Sequence, residues 1–179
     1  SLSPRRLVST GRGVRREGGL HTLYISPLKA LAVDIARNLE RPVNYGLVRI
    51  VPPADVEINQ TARPFVIFDP RAGHGPGIGG FKADSEIGMA MRAGHPCYFV
   101  GFLPDPMPGQ TIEDIARAEA VFLDEVIKRH PQADGKPCVI GNCQAGWAVM
   151  MLAAIRPELF GPIIIAGSPL SYWAGVRGK

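Results

Sequence analysis

A short apolar run, Pro137-Cys138-Val139-Ile140, passes through the turn Gly141-Asn142-Cys143-Gln144-Ala145-Gly146 into an apolar segment of helical length. An apolar run without polar alternation reads as a strand buried on both faces. Beyond the turn, Trp147, Met150, Met151 and Ala154 recur at i, i+3, i+4 and i+7, so this face of a helix is expected in the core. A strand that feeds directly into a helix rejoins its sheet by a crossover, which points to parallel strands beneath helices. The same turn sets Cys143 at its apex between glycines. That is the layout of a nucleophile elbow, G-x-S-x-G, with cysteine for serine; its fifth position is Ala145, with Gly146 next.

The rest of the chain repeats the alternation. Strands are expected over 20–26, 43–51, 64–69, 96–103, 137–141 and 162–166, and helices over 28–39, 84–93, 111–130 and 144–155. Ser26-Pro27 reads as a helix start, and Thr111 with Asp114 three residues on as another. Residues 1–19, rich in arginine and glycine, show no period. The expected fold is a three-layer α/β arrangement, a parallel sheet covered on both faces.

Composition narrows the classes. With 46% hydrophobic and 20% charged residues the chain is globular, and no apolar run is long enough to span a membrane. Three cysteines (Cys97, Cys138, Cys143) form no metal-ligand spacing and suit a reducing compartment, so a cytoplasmic location and no metal are expected. The net charge of +4 is uneven: residues 1–42 hold eight Lys or Arg against three Asp or Glu. A basic arm can touch nucleic acid, but it is also what a solvated tail looks like, and a nucleic acid is not the expected partner.

Cys143 is the candidate nucleophile. At a helix N-terminus the dipole favours a thiolate, and the N–H of Gln144 is placed as one oxyanion donor. Against this stands the ordinary fate of a free cysteine, burial in a core, which is the reading for Cys97 and Cys138. The loop from Arg71 to Gly80 holds His74-Gly75 where a second oxyanion donor is expected. Gly75, Gly77 and Gly80 also spell G-x-G-x-x-G, a dinucleotide signature. Asp69 and Gly75 stand too far apart for it, and Pro76 removes a donor, so no cofactor is expected. His95 and His130 read as capping or surface residues, Asp105 as a possible rim acid, and Glu113, Asp114, Glu119, Asp124 and Glu125 as the solvated face of one helix. All four histidines (His21, His74, His95, His130) precede Cys143, and Glu158 is the one carboxylate after it. A hydrolase triad runs nucleophile, acid, histidine, so its base and acid are missing from this order unless an upstream histidine substitutes.

Residues from about 43 to 179 resemble bacterial α/β-hydrolase-like proteins called poly(3-hydroxyalkanoate) synthetase-like. The resemblance rests on Arg63-Pro64-Phe65, the run from Asp69 to Gly77, the run from Gly141 to Trp147, and the run from Pro169 to Gly175. It implies that Cys143 is acylated by a thioester or ester. It also implies an acid and a histidine beyond Lys179, hence a hydrolase-like domain truncated at its C-terminus, with self-association through an unfinished sheet. Residues from about 20 to 42, in particular the run from Leu20 to Leu39, resemble the strand and helix around motif Ia of Lhr-type and ligase-associated superfamily-2 DNA helicases. No phosphate-binding G-x-x-x-x-G-K-[ST] accompanies it. Two parts are therefore expected, a basic appendage over 1–42 and a partial hydrolase-like domain over 43–179, joined near residues 39–43.

Overall fold

A computed structural model describes residues 22–24, 29–32, 39, 41–71, 84–103, 105–171 and 173–175, with the backbone alone for the first two stretches. In chain order the elements are β1 (Thr22–Tyr24), β2 (Lys29–Ala32), β3 (Tyr45–Val51), β4 (Phe65–Phe68), α1 (Glu86–Arg92), β5 (Cys97–Phe102), α2 (Ile112–Arg129), β6 (Cys138–Asn142), α3 (Gln144–Ile155) and β7 (Ile163–Ala166). The strands make one sheet in the order β1-β2-β3-β5-β4-β6-β7.

The sheet is mixed. β5, β4, β6 and β7 run parallel, in register through rows such as Phe65 with Cys97 and Cys138. β1, β2 and β3 are antiparallel to their neighbours and extend the parallel part at one edge. Apolar helices force the parallel part, since each of β4→β5, β5→β6 and β6→β7 needs a crossover. From β4 the chain moves toward β5, and from β6 it moves the other way, toward β7. The order thus reverses between β4 and β6, and in α/β sheets the carboxyl ends of strands at such a reversal are where ligands bind.

Each face of the sheet carries its own core. Leu47, Val66, Phe68, Tyr98, Val100 and Val139 pack under α2 and α3 with Phe122, Leu123, Val149 and Leu152. Val48, Ile50, Ile67, Phe99 and Ile140 pack under α1 with Ile87 and Met91. Three layers result, as expected. The Thr111 cap is where the sequence places it, whereas Ser26-Pro27 lies outside the described residues: the Thr111 hydroxyl accepts from the Asp114 N–H at 3.1 Å, and the Asp114 carboxylate accepts from the Thr111 N–H at 2.9 Å.

Three expectations fail. Residues 29–32, expected as part of a helix, pair as β2 with Val48 to Val51; a free edge of β3 offers a ladder that outweighs the helix preference of Leu and Ala. Residues 33–38 of that segment lie outside the described residues. The buried side of α3 is Ala145, Ala148, Val149 and Leu152, whereas Met150 is 42% exposed and Trp147 and Met151 are half-buried. The third is Glu119, which belongs to the core of α2 and not to its solvated face. Apolar groups also reach solvent at Ile155, Ile164, Leu170 and Trp173. Among the described residues no helix is long and apolar enough to cross a membrane.

Candidate active site

Cys143 has φ 52° and ψ −125°, one of two described non-glycine residues with positive φ. An L side chain held there costs on the order of 1–3 kcal/mol, and such bends persist only where the surroundings fix them. Here the Cys143 N–H donates to the Ala166 carbonyl at the end of β7 (2.9 Å), and its carbonyl accepts from the Gly146 N–H (3.1 Å). The side chain is exposed at the turn's apex, at the carboxyl end of β6 and the start of α3. The other two cysteines are sealed: burial pushes the Cys97 thiol up to about 12, and burial also raises that of Cys138 against the lowering effect of Arg63.

Two glycines let the helix pack this close to its strand. A Cβ on Gly141 would stand 3.0 Å from the Gly146 Cα and 3.1 Å from the Ala145 carbonyl oxygen. One on Gly146 would stand 1.8 Å from the Ser168 Oγ and 2.4 Å from its Cβ. The close approach therefore falls on Gly146, and Ala145, buried, is small enough for the preceding position. Gly146→Ala gains about 1 kcal/mol of helix propensity, but a 2.4 Å contact with a Cβ forces backbone movement. The variant is expected to lose roughly 1–3 kcal/mol by urea unfolding. A neutral or stabilising result would contradict this packing.

Gln144 opens α3, so its N–H has no acceptor within the helix. Its side-chain carbonyl accepts from the Trp147 indole N–H at 3.1 Å. At the same end of the sheet, β4 is followed by Asp69 and Arg71, the second positive-φ residue at 57°. The Arg71 N–H donates to an Asp69 carboxylate oxygen at 2.8 Å. Burial raises the Asp69 pKa, opposed by that N–H and by the Arg71 charge. The Arg71 guanidinium lies 5.2 Å from the Tyr45 ring, 5.1 Å from the Trp147 ring and 3.1 Å from the Glu119 carboxylate. Glu119 is wholly buried, and desolvation pushes it up to about 7 although the Arg71 charge and hydrogen bond pull it down. Nothing in the sequence flagged Arg71, Glu119 or Tyr45. One cue was available, an acidic residue in register with the alanines of the buried stripe of α2.

His74 and Gly75, the expected second oxyanion contributors, lie outside the described residues. His95 and His130 stand at the opposite end of the sheet. His95 precedes β5, with its Nδ1 at 2.8 Å from the Arg63 carbonyl. His130 caps α2, is buried rather than surface-exposed, and meets the Tyr98 hydroxyl at 2.9 Å. Strand β6 alone, at about 3.3 Å per residue, keeps them on the order of 13 Å from Cys143 along the strands, so neither can take its proton. Asp105 is exposed after β5, on the Cys143 side of the sheet. An open cavity of about 570 Å³ lies among Arg63, Phe65, His95, Asp134 and Cys138, at the amino ends of the strands and away from Cys143.

Residues 25–179 match the model of a family of proteins of unknown function, DUF3141. The chain belongs to the DUF3141 family. The match starts on the amino side of the boundary expected near residues 39–43. An uncharacterized protein from the ackA 5' region of Rhizobium meliloti is 71% identical over 163 residues. That alignment takes in 89% of this chain, a larger share than residues 43–179 provide, and 22% of the relative. The DUF3141 chain thus spans about a fifth of the length of this relative. Among solved structures, a Bacteroides ovatus protein provisionally named a dipeptidyl aminopeptidase IV is similar at TM-score 0.52 and 14% identity, over 84% of this chain and 22% of its own. A mature lipase of Bacillus licheniformis is similar at TM-score 0.47 and 17% identity, over 73% of this chain and 53% of its own. The fold of this DUF3141 chain is α/β-hydrolase-like.

Proposed function

We propose that this chain carries the nucleophile of an acyl-transferring or hydrolysing α/β-hydrolase-like domain, with Cys143 as the group that is acylated. One observation carries the reading: a cysteine at φ 52° and ψ −125° on a strand-to-helix bend, exposed beside the point where the strand order reverses. A structural thiol needs neither the bend nor the exposure. The sulfur, as thiolate, adds to the carbonyl carbon of an ester or thioester, and the oxygen takes the negative charge opposite the Gln144 N–H. Collapse expels the alkoxide or thiolate and leaves an acyl-Cys143 thioester. The resemblance to poly(3-hydroxyalkanoate) synthetase-like proteins supports an acyl thioester or ester as the donor. The proton acceptor comes from residues other than His95 and His130.

A p-nitrophenyl ester tests the step, because its leaving group departs without needing a proton. One equivalent of p-nitrophenolate should be released in a burst, and the acyl group should be found on Cys143, with Cys97 and Cys138 unmodified. Absent labelling of Cys143, or labelling of all three alike in folded protein, would sink the proposal. A burst that persists in Cys143→Ala would do the same.

A further inference from the structure

The two strained bends at this end of the sheet are joined through side chains. Glu119 pairs with the Arg71 guanidinium at 3.1 Å; the guanidinium lies 5.1 Å from the centre of the Trp147 ring; the Trp147 indole N–H donates to the Gln144 side chain at 3.1 Å. Tyr45 contributes a second ring, 5.2 Å from the same guanidinium. The five members come from four elements: Glu119 from α2, Arg71 from the turn after β4, Trp147 and Gln144 from α3, and Tyr45 from β3. Only Gln144 is at the surface.

An ion pair in this position is a poor way to stabilise a helix face. Glu119 is wholly buried, and its Oε2 has no hydrogen-bond partner among the described residues. An apolar residue of similar size would avoid the desolvation of the charge. What the pair does supply is direction. A guanidinium is planar, so a carboxylate in its plane and a ring over its face fix it in all three axes. The ring so placed has one donor, and that donor holds the residue adjacent to the nucleophile.

We infer that Glu119, Arg71 and Trp147 form a positioning relay that holds Gln144, and with it the first turn of α3, in the orientation the acylation of Cys143 requires. Its purpose rests on the acyl-transfer reading, and its geometry on the contacts of Glu119, Arg71, Trp147 and Gln144. None of the three touches the reacting atoms. They act through Gln144, whose backbone N–H faces the developing oxyanion.

Two readouts test this, one independent of chemistry. The first is the indole N–H signal of Trp147, assigned by its loss in Trp147→Phe, with Trp173 as the internal reference. In Glu119→Gln and Arg71→Lys the Trp147 signal should shift and its hydrogen exchange quicken about tenfold or more, as expected for a donor released to water. The second is the rate of Cys143 acylation by p-nitrophenyl acetate divided by its rate of alkylation by iodoacetamide, which needs no oxyanion donor. Removing one such donor outright costs roughly 100-fold or more, so a misplaced one should lower the ratio about tenfold in Trp147→Phe and in Glu119→Gln, with alkylation unchanged. An indole signal indifferent to residues 71 and 119 overturns the relay. A signal that moves while the ratio holds shows mere packing and overturns it too. Alkylation without any acylation of the unmodified protein would defeat the acyl-transfer reading, and the indole signal would still decide the relay.

Discussion

Cys143→Gly is expected to unfold at a higher temperature than Cys143→Ala while sharing its complete loss of acylation. Both variants remove the thiol, and the side chain is exposed, so neither leaves a cavity. They differ in what the backbone tolerates. At φ 52° and ψ −125° alanine meets the same steric conflict as cysteine, on the order of 1–3 kcal/mol, whereas glycine adopts that conformation freely. Glycine also gives the unfolded chain more freedom, which offsets about 0.5–1 kcal/mol. Relief is the larger of the two, leaving a net gain of about 1 kcal/mol. For an ordered domain of this size that corresponds to roughly 3 °C in the unfolding midpoint. The alanine variant should match the parent within about 0.5 kcal/mol. Should glycine prove no more stable than alanine, the bend at 143 is not strained and the elbow loses its physical mark.

The elbow was legible because it is local. A strand, a glycine-bounded turn and a helix lie contiguous in the sequence, and α3 runs over Gln144–Ile155 as its pattern predicts. The strands and helices from β3 onward are likewise set by apolar runs and caps, with ends shifted by a residue or two. What could not be read is long-range. Lys29–Ala32 has a helix-forming composition and becomes a strand because β3, many residues later, offers an edge. Helix α3 is apolar on nearly all sides, so its period could not tell Ala148 and Val149, which are buried, from Met150, which is not. Glu119 was hidden by its neighbours: five acids on one helix read as a solvated face, and beyond its register with the buried alanines the buried one is marked by Arg71, 48 residues away. A burial partner at that separation has no signature in spacing.

Arg71→Ala should destabilise the protein by about 3 kcal/mol at pH 8 and by clearly less at pH 5, and the double variant Arg71→Ala/Glu119→Gln should recover most of the pH 8 loss. The reason is the ionisation of Glu119. Burial lifts its carboxyl from 4.5 to about 7, so between these values the folded protein holds a proton that the unfolded chain has released. The stability this contributes is fully present below pH 4.5 and declines as pH rises through about 7, by something on the order of 3 kcal/mol at about 1.4 kcal/mol per unit. Glu119→Gln, which cannot ionise, should lack that decline, and the difference between the two curves isolates the carboxyl from other groups that titrate nearby, such as His130. Above pH 7 the charge stands in the core with Arg71 as its partner, and removing that partner strands it, a change that typically costs 3–5 kcal/mol. Reprotonation limits the loss, because without the guanidinium the Glu119 pKa climbs further. At pH 5 the carboxyl is already neutral in the folded state, so Arg71→Ala forfeits ring contacts and one hydrogen bond but leaves no bare charge. Urea unfolding of the four proteins at both pH values decides it. An equal loss at pH 5 and pH 8, or a double variant no better than Arg71→Ala alone, would mean that Arg71 does not answer the buried charge of Glu119.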